Sequence, residues 1–219
     1  RLDLLQDLRA GVDAALADGT TFETFRKNLQ PTLMQKGWWG QAMMTDPLTG
    51  EEKLVQLGST RRLKTIYDTN LRTAHAEGQW ERIQDRKEDF PYLIYDANNS
   101  ERPRAEHSAW DNLTLPVNDP WWQAHMPVKA WGCKCRVRQV SKSQLDRRGQ
   151  TVSEPPPEKT FTYTNPRTGE VQQIPAGVDP AFHYPLRGRR DSQVRMYADK
   201  IERAPAAIGA AAFRGDPEQ

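Results

Sequence analysis

Leu63, Ile66, Tyr67, Asn70, Leu71, Ala74 and Gly78 recur at three- and four-residue steps, and the pattern runs on towards Asp89 before Pro91 stops it. Ser59 stands where such a helix needs its N-cap. An amphipathic helix of that length must bury its apolar stripe, and strand-like segments lie downstream of it. Tyr92-Leu93-Ile94-Tyr95 reads as a buried strand. Gly132 to Val140 reads as another, since Cys133, Cys135, Val137 and Gln139 alternate with Lys134, Arg136 and Arg138, leaving one face basic. Between them lies a stretch carrying Trp110, Trp121, Trp122 and Trp131, rich in Pro, Asn and Asp and predicted to be irregular.

The flanks are simpler. Leu2, Leu5, Leu8, Val12, Ala15 and Leu16 share one helical face up to Gly19, and Thr20 with Glu23 suggests a capping box for a second helix. Its inward residues are Phe22, Phe25 and Leu29, and Pro31 is expected to interrupt it. Ala42 to Thr45 and Lys53 to Leu57 flank a turn-rich pentapeptide and predict a hairpin. Ser153-Glu154-Pro155-Pro156-Pro157-Glu158 reads as a stiff linker. A second hairpin is expected across Phe161-Thr162-Tyr163 and Val171 to Ile174, then a short helix near Ser192 to Arg203. Thr45-Asp46-Pro47-Leu48-Thr49-Gly50-Glu51 and Thr164-Asn165-Pro166-Arg167-Thr168-Gly169-Glu170 echo each other, which shared turn chemistry explains.

The predicted fold is α+β in three parts. Residues 1–58 form a helical hairpin and a β-hairpin, residues 59–150 a central domain of long helix, small sheet and tryptophan-rich insertion, and residues 151–219 an extended arm. The hydrophobic fraction is 37%, below the roughly 45–50% usual for globular domains, so part of the burial is expected to come from partners. A mean hydropathy of -0.84 and the lack of a long apolar run exclude a spanning helix. The chain begins at Arg1 without an apolar leader and reads as a fragment or processed product. Cys133 and Cys135 are too close in sequence for a useful disulfide, which leaves secretion unsupported.

Chemistry concentrates between Arg102 and Val140. His107, His125, Cys133 and Cys135 match the inventory of a tetrahedral zinc site, which would pin a loop-rich stretch. Their Cys-x-Cys spacing departs from the usual Cys-x(2–4)-Cys, so the alternative is two small inward-facing thiols and two histidines bonded to backbone. A cysteine nucleophile assisted by His107 or His125 and Asp111 is a third reading, but no phosphate loop, His-Glu-x-x-His or Gly-x-Ser-x-Gly supports an enzyme. Lys129, Lys134, Arg136, Arg138, Lys142, Arg147 and Arg148 form a basic run, and Arg187, Arg189 and Arg190 a second one. Both suit phosphate or an acidic partner, or else a solvated surface.

Ser59-Thr60-Arg61-Arg62-Leu63-Lys64-Thr65-Ile66-Tyr67-Asp68-Thr69-Asn70-Leu71, Phe90-Pro91-Tyr92-Leu93, Arg102-Pro103-Arg104-Ala105-Glu106-His107, Pro120-Trp121-Trp122 and Trp131-Gly132-Cys133-Lys134-Cys135-Arg136-Val137 follow one another in order. Together they resemble the phage Mu protein F family of tailed-phage minor head proteins. The likeness covers about Ser59 to Leu145, and Gly177-Val178-Asp179-Pro180 more weakly. Pro127-Val128-Lys129-Ala130 departs from a Pro-Pro-Asn type turn found in relatives.

The resemblance implies a structural head-morphogenesis protein rather than an enzyme, located in the virion after assembly in the host cytoplasm. It implies the portal protein and major capsid protein as partners, at the portal vertex and the inner face of the shell, with no membrane. It also implies contact with packaged double-stranded DNA. In the family pattern the positions of His107, His125, Cys133 and Cys135 are characteristic, which favours zinc as a cofactor. Two rival functions are a DNA-binding head protein acting in genome retention or ejection, and a metal- or cysteine-dependent enzyme domain carried on a head protein.

Overall fold

The structure is a computed structural model describing residues 2–46, 49–97, 102–166, 168–184 and 198. The fold is α+β, as the sequence predicts, and comprises two compact units. The first extends from the N-terminus to Leu71 and the second begins at Arg72, so the division falls inside one helix.

In the first unit α1 (Leu2–Asp18) and α2 (Phe22–Gln35) form the expected helical hairpin. Leu4, Val12 and Ala15 meet Phe25, Leu29 and Leu33, together with Leu63 and Tyr67 from the start of α3 (Thr60–Asp85). The buried face of α1 therefore includes Leu4, while Leu16 is exposed. Gly11 is the point of close approach, since a Cβ there would lie 3.3 Å from the Phe25 ring. Thr21, one residue later than expected, caps α2 by accepting from the Thr24 amide at 3.4 Å. Pro31 sits within α2 without breaking it. It is exposed, so the carbonyl that loses its helical donor can turn to water.

The hairpin β1 (Gln41–Thr45) and β2 (Glu52–Gln56) pairs Gln41 with Gln56 and Thr45 with Glu52. Met43, Met44, Leu54 and Val55 on it are all exposed. A bare two-stranded ribbon is marginal in water by itself.

The second unit is built on a three-stranded antiparallel sheet in the order β4-β3-β5, with β3 (Tyr92–Asp96) central between β4 (Thr114–Pro116) and β5 (Arg136–Val140). One face carries Leu93, Tyr95, Leu115 and Val137 into the main core, where Trp80 and Ile83 of α3 meet Trp110, Trp121, Trp122 and Met126. Gln139 stitches helix to sheet, its Nε2 donating to the carbonyls of Ile83 at 3.0 Å and Phe90 at 2.9 Å. Those carbonyls lie at and beyond the end of α3, where helical donors run out. The other face sets Ile94 and Val140 beneath Leu145 of α6 (Lys142–Arg147). Ser141 and Gln144 make a full capping box there.

The tryptophan-rich stretch is less irregular than expected. It holds α4 (Ala105–Ala109), β4 and α5 (Trp121–His125), and Trp122 is fully buried with its indole N–H on the Pro116 carbonyl at 3.0 Å. Burying large rings supplies the apolar area that so polar a segment lacks. Beyond α6 the chain is extended. Ser153 donates its amide to the Thr114 carbonyl at 2.8 Å, and its hydroxyl accepts from the Thr114 amide at 3.1 Å. That contact ties the linker to β4. Strands β6 (Thr160–Thr164) and β7 (Val171–Pro175) give the second hairpin, followed by a short 3₁₀ turn, Pro180–Phe182, capped by Asp179. The cluster Arg187, Arg189 and Arg190, and all of the helix expected near Ser192 to Arg203 except Ala198, lie outside the described residues.

The described residues of the two echoing heptapeptides make the same pair of backbone hydrogen bonds. Asp46 donates to Glu51 and accepts from Gly50, each at 2.8 Å, while Asn165 donates to Glu170 at 2.8 Å and accepts from Gly169 at 2.9 Å. Gly50 and Gly169 have φ of 73° and 72°, which explains a glycine at both places.

Candidate metal centre

Three of the four predicted ligands meet in the second unit. His107 lies in α4, and Cys133 and Cys135 lie in the extended approach to β5, which begins only at Arg136. Gly132, at φ 67°, turns the chain into that approach. Nδ1 of His107 stands 3.7 Å from Cys133 Sγ and 3.4 Å from Cys135 Sγ, and the three ligand atoms lie within 4.8 Å of one another. Zinc with bonds of about 2.0–2.1 Å to nitrogen and about 2.3 Å to sulfur requires an N···S edge of about 3.6 Å in a tetrahedron. Both N···S separations are close to that edge, and the two sulfurs lie within 4.8 Å of each other.

The surroundings orient the imidazole and favour charge on one of the two thiols. Nε2 of His107 lies 2.8 Å from the Gly177 carbonyl. A carbonyl only accepts, so Nε2 carries a proton, and Nδ1 is the nitrogen that faces the sulfurs. A metal-ligating histidine is commonly held in this way. The Tyr95 hydroxyl donates to Cys135 Sγ, and burial raises the phenol's pKa. Cys135 and then His107 hydrogen-bond Cys133 and pull its thiol down to about 4, while the hydrogen bond with Cys133 and burial push Cys135 up. Burial opposes charge on His107, but its bonds to Cys133 and Gly177 outweigh that and leave its pKa raised. The pair thus shares one proton that a metal would displace.

His125 does not join this cluster. Its Nδ1 lies 3.1 Å from the Trp121 carbonyl, and the ring stacks on Trp121 at 4.4 Å. Burial lowers its pKa. Trp110 touches both imidazoles, stacked on His107 at 5.2 Å and edge-on to His125 at 4.8 Å. No fourth His, Cys, Asp or Glu among the described residues completes the set.

The basic residues separate into two groups. Lys134, Arg136, Arg138, Lys142, Arg147 and Arg148 are exposed, and Arg136 pairs with Asp96 at 2.9 Å. Arg136 and Arg138 alternate with Val137 and share the β5 face that bears Val140 and α6. Lys129 is not part of that surface. It is 3% exposed, with Nζ 3.3 Å from the Tyr184 carbonyl and over the Tyr184 ring, and burial lowers its pKa to about 8. Sequence reasoning also missed Tyr95 and Arg104 as neighbours of the thiols and Gly177 as the partner of His107. The Arg102-Pro103-Arg104 and Gly177-Val178-Asp179-Pro180 motifs were the signal that pointed towards two of them.

The profile of a family described as "Phage Mu protein F like protein" matches residues 6–138. The chain is 38% identical over 153 residues to the putative capsid assembly protein F of Escherichia phage Mu, covering 70% of this chain and 35% of that protein. It is 37% identical over 153 residues to the Mu-like prophage FluMu F protein of Haemophilus influenzae, covering 70% of this chain and 36% of the relative. The chain thus spans about a third of the length of these relatives. No solved structure matches it. The extent of the profile match, together with the relatives' identity, establishes that the chain belongs to the phage Mu protein F family.

Proposed function

We propose that the chain is a structural, non-catalytic part of a minor head protein that acts in phage head morphogenesis. It docks at the portal vertex and the inner face of the capsid, with the portal protein and major capsid protein as partners. The supporting observation is likeness to a protein described as a capsid assembly protein. The exposed Met43, Met44, Leu54 and Val55 of the first hairpin fit a chain that completes its burial on neighbours. Cross-linking of assembled heads followed by mass spectrometry tests this reading. Links from this chain to portal and major capsid subunits are expected, and links to neither would overturn it.

Zinc is the metal proposed for His107, Cys133 and Cys135. Two thiolates and one imidazole are a zinc donor set, and its purpose would be to pin the loop-rich stretch between β3 and β5. A second reading, contact with packaged double-stranded DNA in genome retention or ejection, is favoured by the shared exposed face of Arg138 and α6. A salt-dependent affinity that falls on charge reversal tests it.

A further inference from the structure

Residues 174–184 form a strap whose contacts converge on the segments that carry the ligands. The Gly177 carbonyl takes the Nε2 proton of His107 at 2.8 Å. Phe182 is buried with Val128, Ala130 and Cys133 itself. The Asp179 amide donates to the Lys129 carbonyl at 2.9 Å. Gly177 has φ 79° and lies so close to Trp110 that an added Cβ would overlap the indole. The strap therefore touches His107, Cys133 and the ring stacked on His107, although it is separated from His107 by 70 residues of sequence.

We propose that the Gly177 carbonyl is the positioning group for the metal ligand His107, and that metal binding and seating of the strap are one coupled equilibrium. This rests on the zinc reading above. With the strap seated, the imidazole is fixed with Nδ1 facing both sulfurs. With it displaced, the ring loses its Nε2 acceptor and is free to turn, and reordering it weakens metal affinity. Coupling of this kind is reciprocal, so an ion at the three ligands strengthens the hold on the strap by the same factor.

The test uses the full chain. Zinc affinity is measured by chelator competition for the wild type and Gly177→Ala, alongside the cobalt(II) ligand-field spectrum of each. A roughly 10–100-fold weaker zinc affinity with an altered cobalt spectrum is expected for the variant. Because Gly177→Ala has a steric cost of its own, amide exchange of the wild type is followed with and without zinc. Removal of zinc should speed exchange at Asp179 and Phe182 while leaving Tyr95 in the central strand unchanged. Unchanged affinity in the variant, or exchange at Asp179 indifferent to zinc, would overturn the coupling and leave the zinc reading standing. A wild type that binds no zinc would overturn both.

Discussion

The indole of Trp110 stacks on His107, with ring centres 5.2 Å apart and planes 22° from parallel. This contact fixes one face of the imidazole, and Trp110 also lies edge-on against His125. The two histidines therefore have different tasks. His107→Ala should abolish zinc binding, whereas His125→Ala should leave it intact and cost about 1–3 kcal/mol through poorer packing and orphaned carbonyl partners. Metal content by mass spectrometry and urea denaturation of both variants check the pair.

Gly177→Ala should destabilise the second unit by roughly 2–4 kcal/mol. An alanine there must hold a positive φ and also displace the Trp110 ring, so the penalty exceeds that of an ordinary glycine replacement. Gly149→Ala is the control, because it shares a positive φ and meets nothing. Denaturant midpoints should rank wild type above Gly149→Ala above Gly177→Ala.

Lys129 predicts a pH dependence. Its folded pKa of about 8 lies below the ordinary 10.5, because burial disfavours the ammonium. Its own charge helps to lower the pKa of His125 and of His183, in each of which burial is the larger cause. The unfolded chain protonates first as pH falls, so this site's stability is full above about 10.5 and is lost on descending to about 8. The loss is on the order of 3 kcal/mol. Lys129→Met should remove that slope and raise the melting temperature at pH 7. A variant that keeps the wild-type slope would contradict it.

Charge reversal at Arg138 and Lys142 should weaken binding to duplex DNA and flatten its dependence on salt by about one unit for each phosphate no longer neutralised. Reversal at Arg136 should do less, since Asp96 already neutralises it in part. Filter binding at several salt concentrations decides this.

Leu54→Asp in the exposed hairpin should leave the monomer's stability within about 0.5 kcal/mol of wild type. Incorporation into heads should nevertheless fall, because the side chain is exposed in the free chain. Equal losses of stability and incorporation would show that the hairpin is an internal structural element instead.

Much of the fold was legible because strong local signals agreed. Helical spacing marked α3, Pro91 marked the step into β3, and paired Asx-Pro and Thr-Gly turns marked both hairpins. What local signals missed depended on distant residues. Thr20 and Thr21 are equivalent cap candidates until the helix axis is fixed, and Pro31 survives because α2 leaves it facing water. At the site, residue type identified Cys133, Cys135 and His107, but type alone made His125 equally eligible. Only the packing around Trp110 and Trp121 separates the two histidines. Lys129 looked like one more surface cation because burial is not visible in a charge count.

X-ray absorption at the zinc edge on the purified chain tests the metal centre most directly. The expected first shell has two sulfurs at about 2.3 Å and a histidine nitrogen at about 2.0 Å, lost in His107→Ala and kept in His125→Ala. A chain that retains no zinc after purification in zinc-containing buffer, or a shell of nitrogen and oxygen alone, would contradict the assignment.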